Sequence, residues 1–502
     1  MKIINLTFLW ILSAICLVGC YEDKGNYDYK DLISLGIDTV GKNLDAGVTA
    51  YQFENYTLDP KVKYAGDAND LEYLWKIYPQ KPDKPEDQIL YDSAKILSRE
   101  PVFDEVIYET PGEYYLNLSV TDKVSNTNTY LTVKMRVESS LSRGLCVLDE
   151  RDGLFDLSVI KSTRLITDLD PAREGVVYNV FSNVNTYKVA DAKFLAQAFY
   201  YGSSASDFFL FTSDGGYKMD HNTFEVLVDD YAAMFSFPTG MTFAPQTYTT
   251  VKTGSPAEYL INDGKVHAMR YMYQETVFGD RIDGDYVAAP YLVKIPSENS
   301  YTLFFDQANK RFIPVSKWGT SLNTYESTPG AVFDVNRVDK ELVYMEQGYS
   351  NYTYAVFKDE GTSDYYLYEA DFSNDQATPK EVYDMSGCPG IDENTLFTFG
   401  SRGAYCFYAS GGNLYRYNYT TASASEPAIP AFIDETITCM KIFRKDAHPL
   451  DGKLLLVATC TTAGEGKLYF LEFNEISGTV NMQGLETPYK GFGKIKDFVD
   501  KE

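Results

Sequence analysis

YCFYASGGNLYRY, residues 405–417, has the pattern of two short strands joined by a tight turn. Aromatic and apolar residues fill both arms, and a Gly-Gly pair lies between them. Tyr and Phe favour strands, and glycine tolerates the positive φ that tight hairpin turns require. The stretch FFLFTSDGGYKM, residues 208–219, has the same arrangement much earlier in the chain. Both stretches therefore predict antiparallel β-hairpins.

Looser copies of this hairpin recur along residues 142–490. Seven copies occur at an average interval of about 52 residues, and they turn at or near Gly153, Gly215, Gly264, Asn309, Gly361, Gly412 and Gly466. A repeat of this length with one hairpin per copy is typical of β-propeller blades. We therefore predict a seven-bladed β-propeller over residues 142–490, followed by a C-terminal tail at 491–502. A double β-sandwich is the alternative, because any all-β protein shows frequent hairpins.

The composition agrees with an all-β chain. Of the 502 residues 15% are aromatic, and 42 Tyr and 30 Phe stand against 3 Trp. The hydrophobic share of 44% and the charged share of 23% are those of a globular protein rather than a disordered one. Lys and Arg number 45 against 71 Asp and Glu, which gives a formal net charge of −26. That charge disfavours nucleic acids and anionic lipid headgroups as partners.

In residues 31–138, short strand-like runs alternate with turns in a pattern that differs from the repeat above. A strand-like run at residues 71–77 contains Trp75, and a Pro-Gly turn precedes an alternating run at residues 114–122. One face of the second run is formed by Tyr114, Leu116, Leu118 and Val120. Burial of such a face favours a fixed strand register. We therefore predict an immunoglobulin-like β-sandwich over residues 31–138, with Trp75 in its core.

The first twenty residues have the pattern of a processing signal. Lys2 precedes an apolar run over residues 3–18, which is short for a transmembrane helix and typical of a secretory signal. The run ends at Leu-Val-Gly-Cys, residues 17–20, which resembles the lipobox of bacterial lipoproteins, where the peptidase cuts before the cysteine. We therefore predict a signal peptide at residues 1–19 and lipidation of Cys20. An ordinary secretory signal is the alternative.

Residues 20–30 are polar and acidic, and they show no hydrophobic periodicity. We expect them to form a flexible tether behind the lipidated cysteine. The segment also resembles the acidic patch that directs some lipoproteins to the outer face of the outer membrane. We therefore expect an outer-membrane location, with the protein facing the outside.

The sandwich segment resembles a known family. The pattern P-G-x-Y-x-L-x-L-x-V-x-D at residues 111–122, after the L-x-Y-x-W strand at residues 71–75, resembles PKD-like domains, which have an immunoglobulin-type fold. The better-known PKD motif W-D-F-G-D-G is absent, since Lys76 and Ile77 follow Trp75. Divergent PKD-like domains begin lipoproteins that are encoded beside SusC/SusD-type nutrient importers. The resemblance therefore implies a SusC/SusD-type importer complex as partner.

Motifs for catalysis or metal binding are scarce. We find no nucleophile elbow, Walker loop or dinucleotide-binding glycine motif. The acidic loop at residues 280–285 lacks the ligand spacing of an EF-hand, and the three histidines lie far apart. The pairs Asp149-Glu150 and Asp434-Glu435 could supply carboxylates at a propeller axis. We expect no catalytic residue, no metal and no cofactor.

The cysteines that follow Cys20 show no disulfide or metal-site spacing. Their number is odd, so they cannot all pair, and several occur in apolar strand contexts. We therefore expect buried free thiols at Cys146, Cys388, Cys406, Cys439 and Cys460.

Aromatic residues in loops are the candidates for a ligand surface. Trp318 lies between two predicted blades, where an indole can stack on a sugar or a side chain. Structural capping of a blade is the alternative role of this residue. Tyr349 and Tyr352 lie in a loop with Gly, Ser and Asn, flanked by Tyr344 and Tyr354. Tyrosine offers contact area at little cost in side-chain entropy. We predict ligand binding at Trp318, Tyr349 and Tyr352, and we expect part of the tyrosine cluster to pack beneath the loop.

These observations lead to two functional hypotheses. The first is a non-enzymatic surface lipoprotein that assists a SusC/SusD-type TonB-dependent importer in capturing an oligopeptide or a glycan. The alternative is a propeller glycoside hydrolase or lyase that uses axial carboxylates as acid and base.

Overall fold

The structure is a computed structural model, and it describes residues 33–39, 44–80, 94–199, 207–252, 257–422, 424–429 and 432–501. Strands dominate, and the chain divides into two compact units. The first unit comprises the residues up to Val137 except two short loops, which are Tyr51–Glu54 and Tyr108–Pro111. The second unit comprises these two loops and Glu138–Glu502. Among the described residues, no helix is long and apolar enough to cross a membrane.

The described residues of the first unit form nine strands. They are β1 Leu35–Asp38, β2 Val48–Tyr51, β3 Asn55–Leu58, β4 Lys61–Tyr64, β5 Leu71–Pro79, β6 Lys95–Ser98, β7 Phe103–Val106, β8 Gly112–Asp122 and β9 Thr127–Glu138. A five-stranded sheet has the order β2-β9-β8-β5-β6, and two smaller sheets pair β1 with β4 and β3 with β7. Short 3-10 helices occupy Leu44–Ala46 and Ala68–Asp70.

The core of this unit confirms the predicted strand register. Trp75 on β5 lies opposite Leu118 on β8, and it is fully buried. Its ring packs 5.2 Å from that of Phe103, and its Nε1 donates a hydrogen bond to the carbonyl of Glu100. Leu116, Leu118 and Val120 join the same core, and Tyr114 packs against it. The alternation of β8 therefore buries the expected face.

The second unit contains seven sheets. Blade 1 combines β10 Gly144–Arg151, β11 Leu154–Lys161 and β12 Gly175–Val177 with β35 Lys494–Lys501. Blade 2 contains β13 Phe194–Gln197, β14 Phe208–Phe211, β15 Gly216–Met219 and β16 Val226–Val228. Blade 3 contains β17 Pro245–Val251, β18 Ala257–Asn262 and β19 Lys265–Arg270, and blade 4 contains β20 Val293–Lys294, β21 Ser300–Asp306 and β22 Arg311–Ser316.

Four-stranded sheets complete the series. Blade 5 contains β23 Glu341–Gln347, β24 Thr353–Lys358, β25 Tyr365–Asp371 and β26 Thr378–Asp384. Blade 6 contains β27 Leu396–Phe399, β28 Cys406–Ser410, β29 Asn413–Tyr417 and β30 Glu426–Pro427, and blade 7 contains β31 Glu435–Ile442, β32 Leu454–Thr461, β33 Gly466–Glu472 and β34 Tyr489–Phe492. The helices of this unit are α1 Val180–Asn185 and short 3-10 turns at Pro171–Arg173, Tyr231–Met234, Tyr271–Tyr273, Tyr349–Asn351 and Met482–Leu485.

The seven sheets close into a ring. The innermost strands are β35, β13, β17, β20, β23, β27 and β31, and each contacts the next one around the ring until β31 returns to β35. Each of seven separate hydrophobic cores lies between two neighbouring blades. The prediction of an N-terminal sandwich followed by a seven-bladed propeller is therefore confirmed.

Burial on both faces explains the continuous apolar runs of the repeat. In β14, Phe208 and Leu210 pack towards blade 1, whereas Phe209 and Phe211 pack towards blade 3. A strand covered on both faces needs apolar residues at every position rather than at alternate ones. Each hairpin predicted from the sequence forms the second and third strands of a blade, counted from the axis.

The predicted tail at residues 491–502 is wrong. Lys494–Lys501 forms β35, which pairs with β10 from Gly144 to Glu150 and supplies the innermost strand of blade 1. Phe498 is buried in the core between blades 1 and 7. The propeller therefore extends past residue 490, because its ring is closed by the C-terminal end of the chain.

Candidate functional site

The direction of the strands places the predicted ligand residues on one face of the propeller. The first and third strands of a blade run in the same direction, so both end at the same face, which we call the upper face. Trp318 follows the third strand of blade 4, and Tyr349 and Tyr352 lie between the first and second strands of blade 5. All three residues therefore belong to connections on the upper face.

Trp318 lies at the edge of a pocket of 540 Å³ and is 43% exposed. The pocket, which we call the Trp318 pocket, is lined by polar residues from two blades and by a few apolar groups. The polar residues are Ser297, Asn299, Ser300, Ser316, Lys317, Ser321, Asn323, Thr324 and Asp375, and the others are Pro314, Leu322 and Tyr325. Neither Tyr349 nor Tyr352 lines it.

A tight turn holds the indole in place. The Lys317 N–H donates to the carbonyl of Asn299 over 2.8 Å, and the Gly319 N–H donates to that of Ser316 over 2.8 Å. Gly319 has φ +64°, and a Cβ there would lie 3.0 Å from the Cβ of Ala268. Glycine avoids both the conformational strain and the close contact. Lys317 Nζ lies 5.3 Å from the centroid of the Trp318 ring.

The polar rim is organised around Asp375. Its carboxylate accepts hydrogen bonds from Ser297 Oγ over 3.1 Å and from Asn299 Nδ2. Asn323 Nδ2 donates to Ser300 Oγ over 2.9 Å, so two amides are fixed within the rim. The buried hydroxyl of Tyr325 meets no hydrogen-bond partner among the described residues. An indole beside ordered amides and a carboxylate can stack on an apolar ligand face and bind hydroxyl or amide groups at its edge.

The tyrosine cluster divides between surface and core. Tyr349 is exposed, and Tyr352 is half-buried with Lys380 Nζ 4.8 Å from its ring centroid. Tyr354 is fully buried and stacks on Phe399 with centroids 5.1 Å apart. Tyr344 stacks on the same Phe399 ring at 6.3 Å, and burial raises its pKa well above the ordinary value. Two of the four tyrosines therefore pack between blades 5 and 6 beneath the loop.

A second pocket, of 390 Å³, lies at the propeller axis, and we call it the axial pocket. Innermost strands of five blades contribute to its lining, through Leu195–Gln197, Tyr248–Thr250, Lys294, Lys441–Ile442 and Phe498–Asp500. Lys252 and Arg444 follow the upper ends of β17 and β31 and also line it. No sequence motif indicates this pocket, because its residues are scattered over the length of the propeller.

A buried carboxyl group lies behind one wall of the axial pocket. Glu258 on β18 is fully buried, and its Oε1 accepts hydrogen bonds from the Phe199 N–H over 2.9 Å and from Thr250 Oγ1 over 2.8 Å. Tyr271 Oη also donates to it, over 2.5 Å. Burial raises the pKa of Glu258, and these hydrogen bonds only partly oppose that shift. Phe199 and Thr250 line the pocket, so Glu258 supports its wall from within blade 3.

The carboxylate pairs considered for catalysis do not line the axial pocket. Asp149 lies on β10, the second strand of blade 1, and accepts a hydrogen bond from the Gly493 N–H over 2.6 Å. Glu435 begins the innermost strand of blade 7, but it bonds away from the axis to Lys467 and to Thr459, 2.6 Å away. Both groups hold strands together within a blade.

The cysteines are free thiols in the described part of the chain. Cys146, Cys388, Cys406 and Cys439 are buried, as expected, whereas Cys460 is partly exposed, contrary to the prediction. Burial raises the pKa of Cys388 to about 11 and that of Cys439 to about 12, which keeps both protonated at neutral pH.

A protein-family model matches the N-terminal part of the chain. A family model described as PKD-like family matches residues 20–191, which extends beyond the sandwich through the first three strands of blade 1 in the sequence. No curated protein matches the chain.

The chain was also compared with solved structures. A quinonprotein alcohol dehydrogenase-like protein from Bacteroides thetaiotaomicron superposes with a TM-score of 0.51 at 12% identity, covering 93% of this chain and 99% of that one. Apo AztD from Citrobacter koseri covers 86% of this chain and 99% of its own at 9% identity, with a TM-score of 0.35. The WD40 domain of SCAP from fission yeast covers 69% and 79% at 8% identity, with a TM-score of 0.28. At such identity the first of these shows a shared fold alone. The chain is an all-β protein whose N-terminal part matches the PKD-like family model and whose second unit is a β-propeller.

Proposed function

We propose that this chain is a non-enzymatic surface lipoprotein that captures an oligopeptide or glycan for a SusC/SusD-type TonB-dependent importer. The observation that carries the binding role is the exposed indole of Trp318 at the edge of a 540 Å³ pocket on the upper face. Small-molecule sites typically occupy pockets of several hundred Å³, as the Trp318 pocket does. The lipobox-like segment before Cys20 and the PKD-like resemblance support the importer role.

The chemistry of the Trp318 pocket suits both candidate ligands. A pyranose ring or an apolar side chain can pack on the indole face. The amides of Asn299 and Asn323 and the carboxylate of Asp375 can then meet sugar hydroxyls or backbone N–H groups at the rim. Because hydrogen bonds already order the turn and the rim, little conformational freedom is lost on binding.

Intrinsic fluorescence provides a direct test of this site. The chain has 3 Trp, of which Trp10 lies in the predicted signal peptide and Trp75 is buried. In the mature protein, quenching by acrylamide therefore reports on Trp318. We expect a bound peptide or glycan to protect this fluorescence, and a screen of both ligand classes identifies which one binds.

Substitution of Trp318 tests the same site through affinity. Trp318→Ala should weaken ligand binding by about 2 kcal/mol, the loss typical of a hot-spot aromatic, with the melting temperature nearly unchanged. Phe237→Ala is the matched control, since Phe237 is an exposed aromatic that does not line the Trp318 pocket. Equal affinity in Trp318→Ala and the parent would contradict the assignment of the site. Release of a cleaved product from any ligand would contradict the non-enzymatic role.

A further inference from the structure

A third pocket, of 490 Å³, lies on the face of the propeller opposite to the upper face, and we call it the His267 pocket. Its lining includes Asp263 and Lys265, in the connection between the second and third strands of blade 3. Such connections lie on the face opposite to the one at which the third strand ends. The pocket shares no lining residue with the Trp318 pocket or the axial pocket, so it is a separate candidate for a ligand site.

His267 lines this pocket, although the residue is only 2% exposed. Its Nδ1 lies 3.0 Å from the carbonyl oxygen of Gly279, and since a carbonyl only accepts hydrogen bonds, Nδ1 carries the proton and donates it. The ring of Phe235 packs against the imidazole in an edge-to-face arrangement, with the two centroids 5.2 Å apart. The hydrogen bond and the ring contact together fix the orientation of the imidazole.

The other ring nitrogen of His267, Nε2, is the feature that indicates a ligand. Among the described residues, no hydrogen bond reaches this atom. Burial lowers the pKa of His267, so the ring is neutral at pH 7 and Nε2 has a lone pair that can accept a hydrogen bond. An acceptor in a buried side chain that lacks a partner costs free energy. We therefore expect Nε2 to accept a hydrogen bond from a molecule in the pocket.

Arg281 lies beside His267 in the same sheet. The two residues are directly opposite each other, because residues 279–282 run antiparallel to β19. The Gly279 N–H, for example, donates to the carbonyl of Ala268 over 2.8 Å. Directly opposite residues have their side chains on one face of a sheet, so Arg281 and His267 are neighbours there. In the part of the chain that the structure describes, the Arg281 guanidinium pairs with no carboxylate, so it can donate to a ligand.

The other groups of the lining limit the class of ligand. Asp263 and Asp280 add two carboxylates, but the described residues hold no group of three His, Cys, Asp or Glu side chains that could bind a metal ion. An extended peptide would need an open strand edge, and residues 279–282 already cover that of β19. The Phe237 ring, which also lines the pocket, is 68% exposed. A sugar, with an apolar ring face and hydroxyl groups around its edge, suits such a lining.

We propose that the His267 pocket binds one sugar residue of a glycan. One sugar hydroxyl donates to His267 Nε2, and others bond to Asp280 and Arg281. The face of the sugar ring packs against Phe237. Each hydroxyl both donates and accepts, which matches a lining that contains acceptors and a donor, and 490 Å³ is within the range of small-molecule sites. This second ligand site goes beyond the proposed capture function, which rests on the Trp318 pocket.

NMR of the histidine side chains tests the proposal in the full mature protein. The chain has 3 His, so ¹⁵N labelling of their rings gives few signals, and the signal that is missing in His267→Asn belongs to His267. The probes are the methyl glycosides of glucose, galactose, mannose and N-acetylglucosamine, with trialanine as a peptide. We expect the Nδ1–H tautomer at His267, and at least one glycoside should shift its Nε2 signal while the signals of His221 and His448 stay unchanged.

Three results would overturn the proposal. The first is a proton on Nε2 of His267 in place of Nδ1, since Nε2 could then not accept. The second is an Nε2 signal that responds to none of the glycosides at millimolar concentration. The third is a response to trialanine alone, which would assign the pocket to peptides.

Matched variants locate the contacts, with affinity for the responding glycoside measured through the His267 signal. Arg281→Gln should weaken binding at least tenfold and leave the melting temperature unchanged, since Arg281 is exposed. Arg337→Gln is the control, because Arg337 is an exposed arginine that does not line the pocket. Equal affinity in these two variants would contradict the assignment of Arg281 and with it the proposed site.

Two further variants separate this site from the proposed capture site. Phe237→Ala should weaken binding at the His267 pocket and leave the protection of the Trp318 fluorescence unchanged. Trp318→Ala should leave the response of the His267 signal unchanged, so the sugar site can fail or succeed independently of the Trp318 pocket. Loss of the His267 response in Trp318→Ala would show that the signal reports on the other pocket, and this result would also overturn the proposal.

Discussion

At the scale of single residues, the two tryptophans of the folded chain have opposite environments. Trp75 is buried in the sandwich core with its N–H satisfied, whereas Trp318 is held at a pocket edge by a glycine-containing turn. The predicted sandwich fold indicated the burial of Trp75, because a tryptophan at this place packs between the two sheets. The loop position of Trp318 made it a candidate for ligand binding or for capping a blade, but the polar groups of its pocket come from distant segments and could not be predicted.

Lys501 gives a pH-dependent prediction. It is fully buried, its Nζ donates to the carbonyl of Leu141, and it lies over the Phe224 ring. Burial lowers its pKa from 10.5 to about 7. In the unfolded chain this lysine keeps its proton up to its ordinary pKa, so between these values the unfolded state binds more protons than the folded state. The free energy of unfolding therefore gains a contribution that rises with pH, by up to about 1.4 kcal/mol per pH unit.

The variant Lys501→Met isolates this contribution. We expect the parent protein to gain stability relative to the variant as pH rises from about 7 towards about 10, in urea unfolding measured by circular dichroism. Other titrating groups are common to both proteins and cancel in the difference. A difference in unfolding free energy that stays constant over this range would show that the pKa of Lys501 is not lowered in the folded protein.

At the scale of elements, we expect the largest loss of stability from removal of β35, the strand that closes the ring. β35 supplies the innermost position of blade 1, and without it β10 becomes an open edge and the core between blades 1 and 7 loses Phe498. Removal of residues 494–502 should abolish the cooperative melt of the propeller and promote aggregation through the exposed edge. Phe498→Ala should cost roughly 3 to 5 kcal/mol, as a buried phenylalanine does. Lys494→Gln, an exposed change in the same strand, should melt as the parent does. A truncated chain with an unchanged melt would contradict the role of β35.

The sequence predicted the seven hairpins because each is local. In blade 3, for example, Asp263 and Gly264 both have positive φ, as a two-residue hairpin turn requires, and the flanking apolar runs are continuous. β35 escaped prediction because KIKDFVDK has five charged residues among three apolar ones, without strict alternation, like a solvated tail. Its partner β10 lies at the other end of the propeller sequence. Strand pairing over such a separation leaves no local pattern.

At the scale of the whole molecule, the composition does not show where the charged residues lie. The formal net charge of −26 describes an acidic chain, but it does not indicate the cations at the axis. Lys252, Lys294 and Lys441 are brought together only when the ring closes. The axial pocket is therefore a product of topology, which is why the search for sequence motifs did not reveal it.

The proposed anchoring is tested at Cys20, which lies outside the described residues. Acyl chains contribute about 0.8 kcal/mol per buried CH₂, so several chains on one cysteine hold a protein firmly at a membrane. Cys20→Ser should leave an uncleaved or soluble species that no longer partitions with the outer membrane on fractionation. Cys460→Ser serves as a control, since this partly exposed thiol is not part of the proposed lipobox. Full retention of Cys20→Ser with the membrane would contradict lipidation at this position.

The central proposal, that the chain serves a SusC/SusD-type importer, is tested most directly by its partners in the native membrane. The lipidated protein, tagged through a flexible linker after its last residue so that β35 stays paired, is extracted in mild detergent and purified, and the proteins that accompany it are identified by mass spectrometry. The account predicts co-purification of a TonB-dependent barrel of the SusC type together with a SusD-type lipoprotein. Recovery of the tagged protein in good yield without any transporter barrel would contradict it.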